Sequence, residues 1–205
     1  MRTSAVVLAG GAASRFGGDK LAADLRGRPV LHHALLAVDG VVDGPVVVAL
    51  GRHDPVPAWP IGLRSGPVVA RDPVAHRGPL AGLATGLTEL GPADDGDLVL
   101  VVAGDMPSLQ PAVLNELVGV LADDGSLDSA WLEAIPFAPL PMALRPARIG
   151  AVVADLLARD RRSLRSLLDA LSGRALPAIQ WRALDPDGAT LVDIDTREDL
   201  ARREG

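Results

Sequence analysis

Four short apolar runs, each stopped by glycine or by an acid, constrain this chain more than any other feature. They read AVVLA over 5–9, closed by Gly10-Gly11; PVVVAL over 45–50; GPVVARD over 66–72; and DLVLVVAGDMP over 97–107, whose apolar stretch ends on Gly104-Asp105. Runs this short, with no polar alternation, suit strands buried on both faces. Between them lie segments of helical spacing. GRPVLHHALLAV (27–38) opens a helix near Pro29, where a missing N–H costs nothing. GPLAGLATGLTELG (78–91) carries Leu80, Leu83, Leu87 and Leu90 at helical spacing and stops at Gly91. SLQPAVLNELVGVLADDG (108–125) sets Val113, Leu114, Leu117, Val118 and Leu121 on one side, with Pro111 near its start. Strands and helices in this order predict an α/β fold with a mostly parallel sheet and helices on both faces.

From about residue 126 the pattern weakens. PFAPLPMALRP (136–146) is proline-rich and holds one strand at Met142–Arg145; IGAVVADLLARD (149–160) and SLRSLLDALSG (163–173) read as helices. The tail TLVDIDTREDLARRE (190–204) reads as a short strand, a cap at Thr196 and a last helix. No repeat or linker divides the 205 residues, so one domain over 1–205 is expected. The aromatic content of three Trp, two Phe and no Tyr suits a core of branched aliphatics.

A net charge of −6 argues against a general nucleic-acid binder, which shows a basic stripe, but leaves room for a local anion site. The absence of cysteine excludes disulfides, thiol catalysis and thiolate metal sites, and fits a reducing cytoplasm. The first residues lack the long apolar stretch of a secretory signal, and LVLVVAG (98–104) is too short to span a bilayer. A cytoplasmic protein with no membrane contact is expected.

In an open parallel sheet, ligands bind beyond the carboxyl ends of the strands. Three candidates fall there: the loop over 10–20, Asp72 and Asp105. Gly10, Gly11, Gly17 and Gly18 let backbone N–H groups approach phosphate oxygens, while Arg15 and Lys20 add charge. Lys20 is the only lysine among 20 Lys and Arg residues, as if its position rejects the planar guanidinium fork. The loop is neither a Walker loop, because Gly18-Asp19-Lys20-Leu21 breaks the spacing and lacks the hydroxyl, nor a dinucleotide fingerprint, because Ala12-Ala13 follow Gly11. Asp105 is placed to hold Mg²⁺, which takes one or two carboxylates plus substrate phosphates; helix capping is its competing role. Asp72 before Pro73 also fits a plain turn. Asp193 and Asp195 fit a second metal acid, a helix cap or solvent equally well. His32 and His33 are neighbours on a helix and make a poor chelate; His53 and His76 lie on loops.

With these residues in hand, the chain resembles the MobA-like NTP transferases of molybdenum-cofactor biosynthesis, within the nucleotide-diphospho-sugar transferase superfamily. The pattern LAGG…SR.GG.DK is met by Leu8-Ala9-Gly10-Gly11, Ser14-Arg15 and Gly17 to Lys20; D…GPLAG by Asp72 and Gly78 to Gly82; CDMP by Gly104 to Pro107, except at its first residue. The tail pattern N/D-x-N/D-T-P-E-D-L is met by Asp193, Asp195, Thr196 and Glu198 to Leu200, with Arg197 in the proline position. The resemblance runs from end to end. It implies a Rossmann-like three-layer sandwich and transfer of GMP from GTP to the phosphate of Mo-molybdopterin, with release of pyrophosphate. By the same resemblance Arg15, Lys20 and Asp105 are catalytic. Leu8, Ala9, Gly10, Gly11, Lys20, Asp72, Gly78, Pro79, Leu80 and Asp105 bind the nucleotide, and Asp105 holds Mg²⁺. A molybdoenzyme or cofactor-delivery protein is the implied partner, and a monomer is favoured. Ala49 stands where relatives often carry asparagine, and Ala138 where Gln or His often precedes the proline. Alternatives therefore stay open: a CTP-using transferase, another phosphorylated acceptor such as a phospholactate-like acid or a sugar phosphate, or a nucleotide-binding module without turnover.

Overall fold

The computed structural model describes residues 1–10, 16–72 and 78–204. The chain opens with strand β1 (Thr3–Leu8), a hairpin of β2 (Asp24–Leu25) and β3 (Arg28–Pro29), and helix α1 (Val30–Asp39). Strands β4 (Val46–Leu50) and β5 (Val68–Arg71) precede helix α2 (Pro79–Leu90), strand β6 (Leu98–Ala103) and helix α3 (Pro111–Asp123). Then come β7 (Ser129–Leu132), β8 (Met142–Leu144), α4 (Pro146–Ala158), α5 (Leu164–Ala170), β9 (Gly173–Leu176), α6 (Ala178–Trp181) and α7 (Arg197–Glu204).

Among the described residues, seven strands form one sheet in the order β5-β4-β1-β6-β8-β7-β9. Strands β5, β4, β1 and β6 run parallel; β8 is antiparallel to both neighbours; β7 and β9 pair in parallel. The predicted mostly parallel α/β sheet is what forms. The continuous apolar runs are explained by two-sided burial. Ala5, Val7, Val48, Leu100 and Val102 pack with Leu31, Ala34, Leu35 and Leu114 of α1 and α3. Val6, Val99 and Val101 pack on the other face with Leu80, Leu83, Ile149, Val153, Leu164 and Leu167 of α2, α4 and α5. A third cluster joins Leu98, Val113, Leu117, Leu121 and Trp181 under the far strands.

Two of these strands, β7 and β9, are not marked in the sequence. SLRSLLDALSG is helical only to Ala170 and then turns into β9. Gly173, the last residue of the segment expected to be helical, is required there by close approach: a Cβ would come within 2.7 Å of the Trp131 ring and 2.9 Å of the Ser129 carbonyl oxygen. The expected tail strand is instead a 3-10 turn over Ala189–Leu191 followed by extended chain. The Asp185 carboxylate creates that turn by accepting from the N–H groups of Ala189 (3.1 Å) and Thr190 (2.7 Å).

From β1 the chain moves outward to β4 and β5, then crosses back through α2 to β6 on the other side of β1. The strand order thus reverses between β1 and β6, where a crevice opens at the strands' carboxyl ends. Leu8 is in register with Ala103, and Gly104 N–H donates to Leu8 O (2.8 Å), so Ala9-Gly10 and Gly104-Asp105 emerge side by side.

Candidate active site

A cleft of about 740 Å³ lies at that reversal. Leu8, Ala9 and Gly10 form one wall, and Gly18 to Ala22 arch over it; Pro29, Leu31 and His32 come from the start of α1, Leu50 and Asp54 to Ala58 from beyond β4, and Asp105 from beyond β6.

The floor depends on an absent side chain. A Cβ on Gly10 would stand 2.7 Å from Gly51 N and 3.1 Å from the Leu50 carbonyl carbon, both backbone atoms that no rotamer change can move. Gly10→Ala is therefore expected to push the ends of β1 and β4 apart. It should cost roughly 2 kcal/mol in urea unfolding and lower kcat/KM about tenfold through nucleotide binding, read by calorimetry alongside kinetics. The neighbouring segment 51–54 is pinned, with Gly51 N–H donating to Asp54 Oδ2 (2.8 Å) and the Arg71 guanidinium donating to the carbonyls of Gly51 (3.1 Å) and Asp54 (2.8 Å).

Asp19 shapes the approach to Lys20 by accepting from the N–H groups of Leu21 (3.1 Å) and Ala22 (3.2 Å). The Lys20 ammonium then sits between two carboxylates, 2.5 Å from Asp105 Oδ2 and 3.1 Å from Asp195 Oδ1. Burial works against its charge, but the hydrogen bonds and charges of Asp105 and Asp195 outweigh that and hold it above the ordinary lysine range. Lys20 thus stays protonated at neutral pH and acts as a fixed cation.

Asp105 does not cap α3. That helix starts at Pro111 with Gln110 in the cap position, and the Gln110 N–H is taken by Thr190 Oγ1 (3.2 Å). Asp105 Oδ2 faces Lys20, while Oδ1 is buried with no hydrogen-bond partner among the described residues. An orphaned carboxylate oxygen is costly unless something binds it. The tail reaches the same place, since Ile194 N–H donates to Asp105 O (3.0 Å). Thr196 and Asp199 cap α7 reciprocally, with Asp199 N–H donating to Thr196 Oγ1 (3.1 Å) and Thr196 N–H to Asp199 Oδ2 (2.8 Å). That relieves Asp193 and Asp195 of capping and leaves them to the site. Asp193 is held above the usual carboxylate range, first by loss of water around its carboxyl and then by the charges of Asp195 and Asp105. Among the described residues no three His, Cys, Asp or Glu side chains are grouped to enclose a metal ion by themselves. The arrangement fits a cation held by one or two carboxylates and completed by substrate phosphates.

Leu8, Ala9, Gly10, Lys20 and Asp105 are thus brought together. Gly11 and Arg15 lie outside the described residues. Asp72 directly follows β5, with its N–H on Leu50 O (3.1 Å), and is not among the residues that line the cleft. Gly78, Pro79 and Leu80 open α2, where the Leu80 side chain is fully buried and its N–H donates to Arg162 O (3.2 Å). The Ala49 side chain is buried with Val6, Leu80 and Leu83, away from the cleft that its neighbour Leu50 lines. Gly104, where CDMP has cysteine, has its side-chain space filled: a Cβ would meet Leu31 Cδ1 at 2.9 Å. The two histidines engage backbone carbonyls, His32 Nε2 with Ala58 O (2.8 Å) and His33 Nε2 with Leu25 O (2.9 Å). Asp54, which the sequence reading passed over, lines the cleft; its position just past a buried strand was the available clue.

Residues 5–176 match the family model described as the MobA-like NTP transferase domain. A probable molybdenum cofactor guanylyltransferase of Natronomonas pharaonis is 33% identical over 96% of this chain and 94% of its own length. A molybdenum cofactor guanylyltransferase of Desulfosudis oleivorans is 28% identical over 97% and 93%. The solved structure of molybdopterin-guanine dinucleotide biosynthesis protein A from Archaeoglobus fulgidus superposes with a TM-score of 0.75 at 22% identity, covering 98% of this chain and 96% of that one. No helix among the described residues is long and apolar enough to cross a membrane.

Proposed function

The chain belongs to the MobA-like NTP transferase family, and from that premise we infer that it is a molybdenum cofactor guanylyltransferase, moving GMP from GTP to the phosphate of a molybdopterin acceptor. The observation that carries the reading is the convergence of Lys20, Asp105 and Asp195 at the mouth of the cleft that Leu8, Ala9 and Gly10 line.

The reaction is in-line. A phosphate oxygen of the acceptor attacks the α-phosphorus of GTP, a new P–O bond forms, the bond from the α-phosphorus to the α–β bridging oxygen breaks, and its electron pair leaves with pyrophosphate. Catalysis here is positioning and charge neutralisation, with no covalent enzyme intermediate. The backbone of Ala9 and Gly10 lets the phosphates approach closely, and the protonated Lys20 lies beside them. Asp54, a cleft carboxylate with Oδ2 taken by the Gly51 N–H, is suited to accept from the N1–H and N2–H₂ edge of guanine through Oδ1.

The solved structure of Rv0371C from Mycobacterium tuberculosis, 18% identical to this chain, is a complex with manganese. The buried, unpartnered Asp105 Oδ1 and the crowding of Asp193 and Asp195 fit such an ion, and we assign Mg²⁺ to Asp105 with Asp193 or Asp195 as the second acid. When bound, Mg²⁺ would offset phosphate charge and fix the phosphates for displacement.

Calorimetric titration with each of the four NTPs in Mg²⁺ tests the assignment, paired with pyrophosphate release in the presence of a molybdopterin acceptor. GTP is expected to bind at least about tenfold tighter than CTP, ATP or UTP, because a wrong base leaves polar groups unpaired. Tighter CTP binding would point to a cytidylyl transferase, and equal weak binding of all four would overturn both.

A further inference from the structure

Among the described residues, the carboxylates at the site outnumber the one lysine between them. Asp105 and Asp195 already match the Lys20 ammonium, and the charges of both also reach Asp193. Two phosphorylated substrates must meet there, and the described residues supply one further cation at the rim. The Arg197 guanidinium lies 5.5 Å from the centre of the Phe16 ring. Phe16 is 5% exposed and packs with Leu25, Val30, Ile194 and Leu200, so the first turn of α7 and the loop leading to Lys20 form one packed unit. The same guanidinium lies beside Gly18, where a Cβ would come 3.8 Å from Nη2, and Gly18 lines the cleft.

Stacking on a ring engages the face of a guanidinium and leaves its N–H edge for an anion. Among the described residues Arg197 has no carboxylate partner. The other arginines of α7 are engaged, Arg202 with Asp199 (3.0 Å) and Arg203 with Ser108 Oγ (2.7 Å). Arg197 also stands where the family pattern has proline, so this cation is a feature of this chain.

Resting on the transferase reading, we propose that Arg197 is a phosphate-binding residue, held by Phe16 at the rim of the cleft with its N–H edge presented to a phosphate of the NTP or of the acceptor. The shared chemistry is a phosphate dianion or bridging phosphate oxygen meeting a planar fork of donors.

Arg197→Gln removes the charge, and Arg197→Pro does so while restoring the pattern at the first helical position, where proline is tolerated. Both are titrated with inorganic pyrophosphate and with GTP in Mg²⁺, and their acceptor KM is measured, with thermal unfolding recorded alongside. A loss of about tenfold in pyrophosphate and GTP affinity assigns Arg197 to the NTP phosphates; a similar rise confined to acceptor KM assigns it to the acceptor phosphate. Either supports the proposal, and Arg197→Lys is expected to recover only part of the loss. A lower Tm with all three constants unchanged would make the residue a structural prop and overturn it. If wild-type protein binds neither pyrophosphate nor GTP, the transferase reading itself falls, and this proposal with it. If wild type binds and the variants match it in pyrophosphate affinity, GTP affinity and acceptor KM alike, the Arg197 assignment alone falls.

Discussion

Lys20→Ala is expected to lower kcat/KM for GTP by 10²–10³ or more, on the order seen when one preorganised charge is removed from a closed site, while Lys20→Arg stays close to the Ala variant. The geometry explains both halves. Nζ is 2.5 Å from Asp105 Oδ2 and 3.1 Å from Asp195 Oδ1, with the lysine side chain only 17% exposed. A compact ammonium fits between two carboxylates at those distances. A guanidinium is planar and longer, so it must drive the carboxylates apart or turn away from them. Stability should separate this effect from unfolding. Exposed ion pairs contribute about 0–1 kcal/mol, and with Asp195 half exposed the pair network should add at most ~2 kcal/mol. Lys20→Met, which keeps the stem, is therefore expected to fold with a Tm within a few degrees of wild type and still fail in turnover. Urea unfolding with steady-state pyrophosphate release makes the comparison. Near-wild-type turnover in the Arg variant would mean that the lone lysine owes its place to chance.

The sequence made the central half of the sheet legible and the rest less so, for physical reasons. Strands β1, β4 and β6 are buried on both faces, so their runs are apolar without interruption and could not be mistaken for surface structure. Strands β7 and β9 are four residues each and include Ser129, Gly173 and Arg174, none of which favours a strand by itself. Their pairing comes from backbone approach and from Trp131 packing, which no local pattern records. The site divides similarly. Lys20 and Asp105 are 85 positions apart, yet the strand-end rule brings them together because both follow adjacent strands. Asp195 could not be assigned, since the choice between cap and site depends on whether Thr196 and Asp199 satisfy each other first. Asp54 was missed because an acid before proline reads as a turn, which it also is.

Asp105→Asn tests whether the orphaned oxygen has a purpose. The amide keeps the shape of the side chain and removes its charge, so the fold should survive, with an unchanged circular dichroism spectrum. The substitution still has no comfortable arrangement. With its NH₂ toward Lys20, two donor groups face each other where an ion pair of 2.5 Å stood. With its oxygen toward Lys20, the NH₂ takes the place of Oδ1, which is buried and unpartnered in the native chain. Neither orientation offers an anion to a divalent cation. Carboxylates supply most of what protein contributes to a Mg²⁺ site completed by phosphates, so Mg²⁺-dependent turnover should fall by roughly 10³. Excess Mg²⁺ should not restore it. Direct titration of the protein with Mn²⁺ gives a readout independent of turnover and should show affinity lost in Asp105→Asn but only reduced in Asp195→Asn, where Asp105 and Asp193 remain. Relieving the crowd of carboxylates has a second consequence. Asp193 is held up partly by the charge of Asp105, so neutralising Asp105 should let Asp193 ionise at lower pH. A carboxyl held up in the folded state weakens folding once the pH rises above its unfolded value, so in metal-free Asp105→Asn the part of the stability loss between about pH 4 and neutral pH that comes from Asp193 should shrink. An Asp105→Asn protein with wild-type Mg²⁺ dependence and wild-type Mn²⁺ affinity would place the metal elsewhere and leave the buried oxygen unexplained.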